Sequence, residues 1–181
     1  ADGQRYTGSS VVKVSWRKND PIGAANGPEW PGGIRGEAPY VEVPGRGVLF
    51  GLISVAGNSS YAANVATQVM TGQKGWARGT EEFSLAKAAK GQTLTIPPDR
   101  YALLVTFGDI TDPTTVRQVD LANLAAAFGP GVSLKRIRLE ITDEPMTEGK
   151  IESALGWLKT IGGGMLDGRR ISTIVQKIDC K

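Results

Sequence analysis

The most apolar stretch of this chain, residues 48–56, is broken by Gly51 and Ser54. No window therefore approaches the roughly 18 uninterrupted apolar residues that a membrane-spanning helix requires. Elsewhere glycine and proline, 24 and 10 of them in 181 residues, cut the sequence into short elements. With 40% apolar and 22% charged residues such a chain can bury a core. No internal repeat or linker divides it, so residues 1–181 are expected to form a single domain.

Residues 7–16 read as a first strand, with Val12, Val14 and Trp16 on one face and Val11, Lys13 and Ser15 on the other. Residues 19–33 hold Pro21, Pro28, Pro31, Gly23, Gly27, Gly32 and Gly33 without periodicity, and read as a surface loop anchored by Trp30. Segments 36–43 and 48–55 flank Pro44-Gly45-Arg46-Gly47 as a hairpin whose second arm is apolar enough to be central. Asn58, Ser59 and Ser60 are caps for a helix over 60–70, where Tyr61, Val65 and Val69 recur at fourfold spacing. Thr80 caps a second helix, with Glu81 and Glu82 at the positive end of its dipole and Gly91 at its end. Residues 93–96 are an edge strand before Pro97-Pro98, and 101–107 a buried one.

After an extended 114–119, Asp120 caps a helix in which Leu121, Leu124, Ala125 and Phe128 form one stripe. Residues 133–141 alternate as a half-buried strand, Ile137, Leu139 and Ile141 inward and Arg136, Arg138 and Glu140 outward. Thr147 opens a last helix carrying Ile151, Ala154, Leu155 and Leu158, and the β-branched 171–178 reads as a closing strand. The expected fold is α+β: a mainly antiparallel sheet of about six or seven strands with three or four helices packed on it.

The chemistry open to this chain is bounded by what it lacks. There is no histidine and one cysteine, Cys180, which excludes zinc fingers, histidine-based triads and intramolecular disulfides. Any general acid or base must be a carboxylate, lysine or tyrosine displaced from its ordinary pKa. A net charge of +3, scattered along the sequence, is no nucleic-acid footprint, which would want a basic stripe on one face.

Five groups of residues are candidate sites. The glycine-rich 71–80, with Lys74 and Arg78, lacks the Gly-Lys-Ser/Thr triplet of a phosphate loop, and Glu81 and Glu82 would repel a phosphate. Asp109 and Asp112, with Asp143 and Glu144, lie in loops directly after strands, where a carboxylate pair or an oxygen-ligand metal site could form. The same residues are ordinary turn chemistry ahead of proline, and the turn reading is preferred because calcium-loop spacing is absent. Ser59 or Ser60 with Lys74 could in principle make a serine nucleophile and its base, but capping explains the serines. Lys135, Arg136 and Arg138, with Arg169 and Arg170, could meet an anionic lipid or acidic partner, though such a row is ordinarily a solvated strand face. Trp16, Trp30, Trp76 and Trp157 read as anchors, Trp30 and Trp76 being the two that a binding surface could expose.

Asp2-Gly3 ahead of a β-rich run is a hairpin signal without its first arm, so the natural chain is expected to begin upstream of Ala1. Five stretches carry a resemblance: Thr7-Gly8-Ser9-Ser10-Val11; Arg35-Gly36-Glu37-Ala38 with Gly45-Arg46-Gly47-Val48-Leu49-Phe50; Val105-Thr106-Phe107-Gly108-Asp109; Phe128-Gly129-Pro130-Gly131-Val132 with Lys135-Arg136-Ile137; and Leu166-Asp167-Gly168. Together they resemble an uncharacterised bacterial family of hypothetical secreted or envelope proteins. The resemblance implies a strand before the Thr-Gly-Ser-Ser segment, often after a leader or a lipid-attachment cysteine, and a periplasmic or envelope location, with the cytoplasm as the alternative. It carries no activity, cofactor or catalytic residue. Two functions follow as expectations: a non-enzymatic envelope domain that binds another protein or the cell surface, or a hydrolase or divalent-metal enzyme using the carboxylates after the strands.

Overall fold

The computed structural model describes residues 3–26, 32–53, 61–73 and 80–160. The fold is α+β, with every strand pair antiparallel. The described residues hold eight strands, divided among three small sheets rather than gathered in one, and five α-helices.

The centre is a four-stranded sheet in the order β3 (Tyr40–Val43), β4 (Gly47–Gly51), β6 (Leu104–Phe107), β7 (Val116–Gln118). The hairpin expected around Pro44-Gly45-Arg46-Gly47 is its first half, with Tyr40 opposite Phe50 and Val43 opposite Gly47. All four residues of β6 are buried, and Phe50 and Val105, partners across the ladder, have no exposed surface at all. Because side chains alternate along a strand, this sheet has two apolar faces. On one, Phe50, Val105 and Phe107 pack with Ile151, Leu155 and Leu158 from α5 (Lys150–Ala154) and the 3₁₀ turn Gly156–Lys159 that follows it. On the other, Val43, Leu49 and Leu104 pack with Leu124 and Phe128 of α4 (Leu124–Phe128).

Two antiparallel ribbons flank this centre. β1 (Lys13–Trp16) pairs with β2 (Gly32–Arg35), and β5 (Thr93–Ile96) with β8 (Ile137–Glu140). α2 (Tyr61–Thr71) packs against both ribbons and against α3 (Thr80–Ala88).

The expected loop over 19–33 is corrected by α1 (Pro21–Asn26) and by β2. Asp20 caps α1, its Oδ1 accepting from the Gly23 amide at 2.7 Å, and Pro21 takes the first helical position. The helix expected from Asp120 begins three residues later, at Leu124. Asp120 closes its own turn by accepting from the Ala122 amide, and Asn123 caps α4 by accepting from Ala126. Thr147 does not open the last helix. Its amide and hydroxyl pair with Val11, at 3.0 and 2.8 Å, and α5 starts after Gly149, whose φ of +78° suits glycine.

Charged side chains from distant parts of the sequence close three helix ends, each with the sign the helix dipole favours. The Glu37 carboxylate accepts from the amides of Gly149, Lys150 and Ile151 at the start of α5. The Arg100 guanidinium donates to the carbonyls of Gln68, Gly72 and Gln73 at the end of α2. Arg46 donates to the Phe128 and Pro130 carbonyls, at 3.2 and 3.0 Å, at the end of α4. Three of the five stretches that carry the resemblance are tied together. Ser10 donates to the Glu37 carbonyl, and the 45–50 hairpin is tied to 128–130. Gly8 is pressed against β3 so closely that a Cβ there would fall 1.6 Å from the Tyr40 carbonyl oxygen.

Candidate functional site

A hollow of about 440 Å3 opens where β4 begins and β6 ends, on the face covered by α5. Its walls are Val48, Phe50, Phe107 and Ile110, and its rim is backbone of Gly47 and Gly108 together with Asp109. Two features fix its geometry. Phe107 is held between Phe50 and Trp157 by edge-on ring contacts, with centroids 5.5 and 5.8 Å apart. Trp157 in turn donates its indole N–H to the Ile110 carbonyl at 2.8 Å, which pins the loop that carries Asp109.

That loop, between β6 and β7, is built by two successive aspartate turns. Asp109 Oδ1 accepts from the amide and hydroxyl of Thr111, at 2.8 and 2.7 Å, and Asp112 Oδ1 accepts likewise from Thr114. Thr115 knits the two together, its hydroxyl within 2.8 Å of the Asp109 carbonyl and 2.7 Å of the Asp112 carbonyl. The Thr111 hydroxyl and amide hold the Asp109 carboxyl below its ordinary value of 3.8. A carboxyl displaced in that direction is ionised throughout the neutral range, and is an acceptor or counter-charge rather than a proton donor there.

Asp143 and Glu144 stand elsewhere, after β8. Asp143 forms an ion pair with Lys90, both side chains well exposed, and the Glu144 amide bonds the Thr142 hydroxyl. Among the described residues no three acidic or thiol side chains gather closely enough to hold a metal. The basic row Lys135, Arg136 and Arg138 is exposed, with Arg138 opposite Thr95 in the β5–β8 ladder. Trp30 and Trp76 lie outside the described residues, as do Ser59, Ser60, Lys74, Arg169 and Arg170, the strand expected over 171–178, and Cys180.

Tyr61 is the other group with a displaced pKa. Burial pushes its phenol up to about 12, the Ala102 amide offsetting part of the rise, and its hydroxyl donates to the Arg100 carbonyl at 2.9 Å. A phenol held protonated in this way is structural at neutral pH. The hollow itself was missed at the sequence level, because it joins the start of one strand to the loop after another. Only the apolar β4 and β6 pattern beside Gly108-Asp109 pointed to that end of the sheet.

No protein-family model, curated protein or solved structure matches this chain. No helix among the described residues is long and apolar enough to cross a membrane.

Proposed function

We propose that this chain is a non-enzymatic binding domain of the bacterial envelope, taking another protein or a surface component at the end of its central sheet. The observation that carries the reading is the hollow beside Asp109: an apolar wall, rigidly braced by Trp157, with a fixed carboxylate on its rim. Such a combination of apolar area and one placed polar group is what a recognition site needs. Supporting it, Asp112 is engaged in a turn, Asp143 with Lys90 and Glu37 at a helix end, while Asp109 borders the hollow. The envelope placement rests on the resemblance carried by the Thr7 to Val11 and Arg35 to Phe50 stretches.

The alternative, a carboxylate hydrolase or divalent-metal enzyme at the same loops, separates cleanly by experiment. Melting curves of the purified chain with calcium or magnesium are expected to coincide with those in chelator, and a rise of several degrees would favour the metal reading. Fractionation of the native cells should place the chain with the envelope; recovery in the cytosol would contradict that part.

A further inference from the structure

We propose, building on the binding reading above, that the hollow receives a lysine side chain of a partner protein, its aliphatic stem against Phe107 and Ile110 and its ammonium on the Asp109 carboxylate. Asp109 is the only charged residue among the described residues lining the hollow. Both Thr111 donors reach its Oδ1, while Oδ2 takes no hydrogen bond and no ion pair from the described residues. An anionic ligand is disfavoured by that charge. A wholly apolar one would cover the carboxylate without pairing it, which costs free energy. Lysine satisfies both surfaces, since its methylene stem packs on apolar area while its head stays at the wet edge. A partner protein fits better than a free amine because Gly47, Gly108 and Asp109 are exposed, so a small molecule would leave much of its own surface in water.

The test uses the full chain and two capped peptides, Gly-Ser-Ile-Lys-Phe-Ser-Gly and its Lys→Glu counterpart, followed by amide chemical-shift changes in NMR. The lysine peptide is expected to move resonances at 47–50 and 107–110, more weakly as salt is raised, while the glutamate peptide binds at least about twofold less tightly. Asp109→Asn keeps the Oδ1 acceptor for Thr111 and removes the charge. It should weaken the lysine peptide by about two- to fivefold, in the range of an exposed pair. Equal binding of the two peptides, shifts centred elsewhere, or no response to Asp109→Asn would overturn the lysine assignment. Movement of the same resonances in free Arg169→Glu plus Arg170→Glu protein would also overturn it, by showing that the chain fills the hollow itself. A partner cross-linked at this hollow with undiminished yield in Asp109→Asn refutes the lysine chemistry alone. No partner at the hollow at all refutes the binding reading with it.

Discussion

The two faces of the central sheet are closed by different means. On the face under α4, Phe128 lies over Gly47, in one cluster with Leu124 and Leu49, and Arg46 fastens the end of the helix to the hairpin below. On the face under α5, Ile151, Leu155 and Leu158 cover the middle of the sheet. At its end Phe107 is buried against Trp157, while Val48 and Ile110, only partly buried, border the hollow. The difference shows where the proposed binding would have room: the same apolar strands form a sealed core under α4 and border a hollow beside Asp109 on the face under α5.

The largest effects should come from the most deeply buried side chains on either face. Phe50→Ala and Phe128→Ala each remove a fully packed ring and are expected to cost about 3–5 kcal/mol in denaturant unfolding. Leu124→Ala should cost about 2–5 kcal/mol. Ile110→Ala, at a partly exposed wall of the hollow, should cost about 1 kcal/mol or less. Equal costs at 110 and 124 would mean that the face under α5 is as tightly filled at the hollow as the face under α4, and the contrast would fail. Gly8→Ala forces a methyl onto the Tyr40 carbonyl. It should release the 7–12 segment at a cost of about 1–3 kcal/mol, read as loss of hydrogen-exchange protection at Val11 and Thr147.

Smaller effects sharpen the account of the helix ends. Glu37→Ala leaves the first amides of α5 without their acceptor and is expected to lower stability by about 1 kcal/mol, with Arg46→Ala costing somewhat less. Tyr61 adds a pH signature. Its raised folded pKa means that its contribution is complete below the unfolded value of 10.0 and is lost as pH climbs toward about 12. An absorbance titration should show one tyrosine ionising last, and Tyr61→Phe should remove that step. Asp109 gives the smallest effect and the opposite sign. Its lowered pKa contributes stability above 3.8 that disappears as pH falls below that value, and Asp109→Asn should flatten only that acid limb.

What was legible in the sequence was local. The hairpin about Pro44, the buried run at 104–107, the Asp-Pro turn at 112–113 and the Ile151, Leu155, Leu158 stripe all rest on neighbouring residues, and α+β with antiparallel pairing follows from them. α1 was legible too, since Asp20-Pro21 is a cap followed by a first-turn proline, but the glycines and prolines after it masked the signal. At Asp120 and Asn123 two capping residues compete, and the structure uses both, one for a turn and one for the helix. The partners of Glu37 and Arg46 lie 114 and 84 residues away at Ile151 and Pro130, beyond the reach of any periodicity. The hollow was hidden for the same reason, being made by strands and a loop that only the folded sheet brings side by side.

The most direct measurement is photo-cross-linking in native cells, with the reactive residue placed in the full chain at position 110 beside the hollow or at position 121, an exposed leucine in the turn before α4. A discrete protein adduct from position 110 and none from position 121 is the predicted result. Adducts of equal yield from both positions, or none from 110, would contradict the proposal that binding resides at the hollow.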